Sequence, residues 1–199
     1  MSKIKLTKNS LRLEQHKLMQ FERYLPTLQL KKSMLQVEVS SVSLEIEKLY
    51  EELNIIREKV EKFAFLLVKT HEIDIIRFIK VNHISKTYEN IAGVEIPVFQ
   101  SVVFEDVNYS LYDTPFWTGS TIKQLKDLVI MRERINVLQE KKKAIEKDLK
   151  DVSIRVNLFE KILIPRSERN IRKIKTFLGD QELAAVSQAK VAKQKLEKE

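Results

Sequence analysis

From Leu18 to Leu67 the chain repeats an apolar residue at alternating steps of three and four: Leu18, Phe21, Leu25, Leu28, Lys32, Leu35, Val39, Val42, Ile46, Leu49, Leu53, Ile56, Val60, Phe63 and Leu67. Fourteen of these fifteen positions are apolar, against about six expected from an overall hydrophobic content of 43%. A 3.5-residue repeat of this length is the seam of a coiled-coil helix, placed here over residues 10–80 after an N-terminal segment 1–9. Lys32, the one polar member, reads as a stem lying along the seam with its charge turned outward. Pro26 lies inside the repeat without changing its phase, so the expectation is a kink near Tyr24–Pro26 and not a break.

A second seam runs through Leu128, Met131, Ile135, Leu138, Lys142, Ile145, Leu149, Val152, Val156, Phe159 and Leu163. Past Pro165 it resumes one residue out of phase at Ile171, Ile174 and Leu178, which implies a local bend or rotation of the seam. This defines a second long helix over 118–178, with Thr118 or Ser120 as its cap. Trp117 reads as a packing anchor at the helix start. A tail over 179–199, rich in Ala, Gln, Lys and Glu, is expected to fray. At ~1.5 Å per residue the helices would be roughly 100 Å and 90 Å long. The fold class is mainly α: a long antiparallel two-helix coiled coil with a small β-hairpin or irregular cap between the helices.

Composition supports few and long elements. Only three Gly and four Pro occur among 199 residues, too few to punctuate a fold with many reversals. The cap, 81–117, is where the period changes. Val94, Ile96 and Val98 alternate with Glu95 and Pro97, Val102, Val103, Phe104 and Val107 follow, and turn signals fall at Asn90, Gly93, Asn108 and Asp113-Thr114-Pro115. Pro97 favours an edge strand.

Little in the chain serves catalysis. There is no Cys, which removes disulfides, thiolate metal sites and cysteine nucleophiles and suits a reducing compartment. No Gly-rich phosphate loop and no His-Glu-x-x-His pattern occurs. His16, His71 and His83 lack metal-ligand spacing, so no metal or cofactor is expected. The best apolar run, Phe63–Val68, is too short to span a bilayer, and no apolar stretch follows the basic start at Lys3 and Lys5 as in a secretory signal. The expectation is a cytoplasmic protein without direct membrane insertion. A net charge of +8 favours an acidic partner.

Three stretches resemble one family. Ile154-Arg155-Val156-Asn157-Leu158-Phe159-Glu160, followed by Ile164-Pro165-Arg166 and Ile171-Arg172-Lys173-Ile174, is similar to the C-terminal signature of the D subunit of V-type (vacuolar and archaeal-type) ATPases. Asn90-Ile91-Ala92-Gly93-Val94-Glu95-Ile96-Pro97 resembles its central stretch, and Thr7-Lys8-Asn9-Ser10-Leu11-Arg12-Leu13 its opening. Pro26, Ser167 and Gly179 depart from the family pattern, as in a divergent member. The resemblance implies a non-catalytic central rotor shaft whose termini project into a hexamer of catalytic and regulatory subunits (A and B type). Its hairpin end would meet the small rotor F subunit and the connector (C or d type) on the membrane ring, with Gly93, Val94, Ile96 and Pro97 as contacts. On the same reading Arg166, Arg169, Arg172, Lys173 and Lys175 form a basic collar against acidic bearing loops of the hexamer.

Two other readings stay open. A type III or flagellar export ATPase stalk shares the two-helix form but needs no central cap of this size. A basic coiled-coil scaffold or nucleic-acid-binding protein would cluster Lys and Arg with interleaved aromatics, whereas the charges here are mixed and Phe21, Phe63 and Phe159 fall on seams. An F-type γ subunit would require a larger α/β domain than ~35 residues can hold.

Overall fold

The computed structural model describes residues 5–69, 75–105, 115 and 117–196. Helix α1 is Lys8–Lys69, followed by a 3-10 turn at Ile75–Ile79. Strands β1 (Val81–Ile91) and β2 (Val94–Phe104) form an antiparallel hairpin. Helix α2 is Thr118–Leu158, a π-helical turn occupies Phe159–Leu163, and α3 is Ile164–Leu196. The side chains of Phe63 and Leu67, and His71, Val107, Asn108, Asp113 and Thr114, lie outside the described residues.

The chain divides into two units. The terminal unit is Met1–Lys32 with Asp151–Glu199, and the hairpin unit is Ser33–Lys150.

In the hairpin unit, Leu35, Val42, Ile46 and Leu49 of α1 are buried, as are Ile122, Ile135 and Ile145 of α2. All but Ile122 belong to the two heptad seams. Each such side chain withdrawn from water contributes about 1.5–3 kcal/mol. Cross-links fix the direction of the pairing: Glu38 meets Lys141 at 2.7 Å and Glu45 meets Arg134 at 3.8 Å. Partner numbers fall as α1 numbers rise, so these stretches run antiparallel. The amide of Gln139 also donates to the Tyr50 hydroxyl at 2.8 Å.

A second face of α2 carries the hairpin. Lys86 of β1 pairs with Glu140 at 2.6 Å, and the Lys126 ammonium lies 5.0 Å from the centre of the Phe104 ring. Val137, off the seam, is buried on this side beside Ile84. The hairpin turns through Ala92 and Gly93, with φ of 53° and 82°. Positive φ at both central residues is the primed turn whose twist matches a hairpin. Asn90 Oδ1 accepts from the Gly93 N–H at 2.8 Å and holds the turn. One bulge falls between Val81 and His83 and another opposite Ser85–Lys86. Ala92 bears a Cβ where glycine is at ease, so Ala92→Gly is expected to stabilise the protein by about 1 kcal/mol in thermal unfolding.

At the start of α2 the first turn is held by backbone: the Thr118 N–H donates to the Pro115 carbonyl, and both the N–H and hydroxyl of Thr121 donate to Trp117 O. The expected cap at Thr118 does not form, since its buried hydroxyl has no partner among the described residues.

In the terminal unit, Phe21 packs edge-to-face on Phe159 at 5.3 Å, and Glu14 accepts from Asn170 at 3.0 Å. Lys8 lies 3.9 Å from Glu182. The order is again antiparallel, and Val152, Val156, Ser167, Ile171 and Ile174 are buried. The helix is unbroken through Pro26, where the Thr27 hydroxyl donates to the Tyr24 carbonyl at 2.7 Å. The phase slip expected at Pro165 takes the form of the π-turn, in which the Ile164 N–H bonds to the Phe159 carbonyl five residues back.

Helix α3 does not stop at 178 but continues through Gly179 to Leu196. The Ala, Gln, Lys and Glu that suggested a fraying tail are strong helix formers, and one glycine costs only about 1 kcal/mol. Residues 180–195 are all exposed. A Cβ at Gly179 would meet nothing within 4 Å, so Gly179→Ala is expected to raise stability by about 1 kcal/mol, read by denaturant titration.

Candidate partner-contact surfaces

On α3 the packed line is Ser167, Ile171, Ile174 and, half-buried, Leu178. At ~100° per residue, Arg166, Arg169, Arg172, Lys173 and Lys175 spread over roughly half the circumference, on the side away from that line. All five are exposed. The structure thus brings them together as one basic face, with Arg169 Nε donating to the Pro165 carbonyl at 3.2 Å.

The charge of the whole chain is segregated in the same sense. The terminal unit contains 19 Lys and Arg against nine Asp and Glu, a formal +10; the hairpin unit contains 17 against 19, a formal −2. A field this uneven steers acidic surfaces toward one unit.

Glu14 is a half-buried carboxylate inside the basic unit. It continues the first seam backward (Leu11, Glu14, Leu18) and lies between Lys17 at 3.0 Å and Asn170 at 3.0 Å. Burial pushes its carboxyl upward, but the hydrogen bonds from Asn170 and Lys17, with the charges of Lys17 and Arg166, outweigh burial and hold it below its ordinary value of 4.5. A carboxyl depressed in the folded state contributes stability above its unfolded value and loses it as pH falls through the folded one. Stability of the wild type is therefore expected to drop more steeply than that of Glu14→Gln as pH is lowered below 4.5. Urea titrations at a series of pH values check this, and parallel pH profiles would count against the Glu14 cluster.

The hairpin residues singled out in the sequence differ in exposure. Val94, Ile96 and Pro97 are buried within the hairpin unit, and only Gly93, in the turn, is exposed. Alternating apolar residues on a strand mark one packed face, and here that face is covered by the chain itself. Tyr88, Glu89 and Glu95 are exposed side chains near the tip.

A surface missed in the sequence lies on α1 of the hairpin unit. Met34, Val37, Leu44 and Ile55 are exposed, Val37 by 70%. Their spacing places them within an arc of about 80° on one side of the helix. Exposed Ser41, Lys48 and Glu52 lie in the same arc, so these apolar residues are interspersed with polar ones. The dominant heptad hides them, because every one of these apolar residues falls between seam positions.

Among the described residues there is no group of three or more His, Cys, Asp or Glu able to hold a metal, and no helix is long and apolar enough to cross a membrane. What the seams, the hairpin and the basic face define is a mainly helical protein whose distinctive chemistry lies on its surfaces.

The family model for the D subunit of ATP synthase matches residues 10–194. The V-type ATP synthase D subunit of Chlamydia abortus is 42% identical over 197 residues, covering 98% of this chain and 95% of that protein. The Chlamydia caviae protein of the same name is 43% identical with the same coverage, and that of Borreliella burgdorferi is 38% identical over 198 residues, covering 98% and 96%. This chain belongs to the family of ATP synthase D subunits.

Proposed function

We propose that the protein is the central-stalk rotor subunit of a V-type ATPase or ATP synthase, non-catalytic itself. It couples ATP hydrolysis or synthesis in a hexamer of A- and B-type subunits to ion movement through a membrane ring. The observation that carries the reading is the segregation of charge in a chain matched to the family over nearly its whole length. A +10 unit bearing both termini suits insertion among acidic bearing loops, where complementary potential orients without a rigid bond. The near-neutral hairpin unit, with its exposed apolar residues on α1, suits lasting contact with a small F-type companion and a C- or d-type connector. Torque then passes along packed seams, which transmit displacement as contiguous solids do. The protein would work in the cytoplasm, held at the membrane through the complex.

Co-expression with candidate hexamer subunits tests this. The expected product is a complex with one copy of this chain per six large subunits and ATP-driven rotation of a bead attached to the hairpin. A chain that purifies alone in that experiment, or that is retained on DNA in a salt-sensitive manner, would overturn the assignment.

A further inference from the structure

We infer that the π-helical turn Phe159–Leu163 is a register device that keeps the basic face of α3 on the surface. The inference rests on the rotor reading for its purpose, since the face it positions is the docking face of that reading.

The seam of α2 passes through Val152, Val156, Phe159 and Leu163. Continued in step, it would next take 166, 170, 173 and 177, burying Arg166, Asn170, Lys173 and Phe177. The observed packed line is one residue later, at Ser167, Ile171, Ile174 and Leu178. A π-turn, closed by bonds to the fifth residue back, takes up one residue more than an α-turn. The Ile164 N–H to Phe159 carbonyl bond is such a bond, and it sits where the surplus arises. Pro165 follows two residues after the turn's end. It has no N–H to give to the Lys161 carbonyl, so the ordinary ladder is already interrupted there and a bulge sacrifices less.

The opposite helix clamps both flanks of the turn. Phe21 packs on Phe159 at its first residue, and Glu14 holds Asn170 beyond its end, while α1 itself carries no bulge. The surplus residue is therefore confined to one helix and one place. Arg166 and Lys173, which a strict heptad would force inward, join Arg169, Arg172 and Lys175 outside.

The chain has no cysteine, so a single introduced thiol reports its own position. In the folded full chain, Arg166→Cys and Lys173→Cys are expected to react with a thiol reagent at least about tenfold faster than Ser167→Cys and Ile174→Cys. Equal or reversed rates would overturn the register. A second measurement covers the chance that a buried cysteine loosens the fold. Deleting Lys161 together with Pro165→Ala leaves Phe159, Ile164, Ser167, Ile171, Ile174 and Leu178 in unbroken steps of three and four. That variant is expected to melt no lower than the wild type. Deleting the exposed Lys147, where α2 has no surplus residue, is expected to lower the melting temperature by about 10 °C or more. Equal damage from the two deletions would refute the device. Neither measurement involves another subunit, so failure of the rotor assignment would show separately, in the co-expression experiment.

Discussion

Ile145→Ala is expected to lower the unfolding free energy by about 2–5 kcal/mol, while Val37→Ala, equally apolar by type, is expected to change it by no more than about 0.5 kcal/mol. Ile145 is fully enclosed on the α2 seam of the hairpin unit, whereas Val37 of α1 is 70% exposed. Truncation at the first site removes buried methylenes and leaves a cavity that a helix packed along its whole length cannot collapse to fill. Truncation at the second removes area that was already in water. For a chain of this size each kcal/mol corresponds to about 2–4 °C in melting temperature, so the two variants are well separated in a thermal scan. Val137→Ala adds a further discrimination. Val137 is off the seam yet 1% exposed, and it is expected to cost as much as an ordinary core valine because the hairpin covers it. A Val137→Ala variant as stable as the wild type would mean that the hairpin is not held against α2.

These contrasts also mark how far the sequence could be read. The heptads of α1 and α2 were legible because a long repeat with few Gly or Pro leaves a helix no competing interpretation, and every described seam residue is buried or half-buried. The hairpin was legible at its turn, where Asn90 and Gly93 carry the turn chemistry. Its docking was not. Ile130, Val137 and Ala144 recur every seven residues on α2, but three apolar residues beside a seam of eleven do not announce a second covered face. Val94 and Ile96 show the same limit: their alternation with Glu95 marks a packed face but not which part of the chain covers it.

The terminal unit shows the same limit differently. The one-residue offset after Pro165 was visible in the spacing of Ile171 and Ile174. Its form was not, because a bend and a π-turn leave the same trace in the sequence. Glu14 is polar at a position where the pattern calls for an apolar residue, and only its contacts with Lys17 and Asn170 reveal why a seam tolerates it. The end of α3 is not legible either, because a stretch of strong helix formers without an apolar stripe stays helical over 180–196.

On the proposed rotor function, the four-fold variant Arg169→Glu, Arg172→Glu, Lys173→Glu, Lys175→Glu is expected to fold normally and to assemble with the hexamer at a rate lower by about 10²–10³-fold. The residues are exposed, so the summed cost to folding should be small. Arg166 is left intact because its charge helps to hold the Glu14 carboxylate ionised. Each reversal changes the charge by two, and the four bring the terminal unit from +10 to +2. The matched control reverses Lys123, Arg132, Lys143 and Lys147, exposed residues of the hairpin unit, and alters the net charge of the chain by the same eight. If attraction came only from overall charge, the two variants would assemble equally slowly. If it comes from the face of α3, the control should retain most of the wild-type rate. Salt separates the cases further: near physiological ionic strength a Debye length of about 8 Å screens distant charges but leaves a face in close contact partly effective. The advantage of the wild type over the α3 variant should therefore shrink with added salt without vanishing. ATP hydrolysis and rotation in whatever complex does form give the last reading, because a bearing surface is needed at every step of turning and not only at encounter. An α3 variant that assembles, hydrolyses ATP and rotates as the wild type does would remove the basic face from the mechanism.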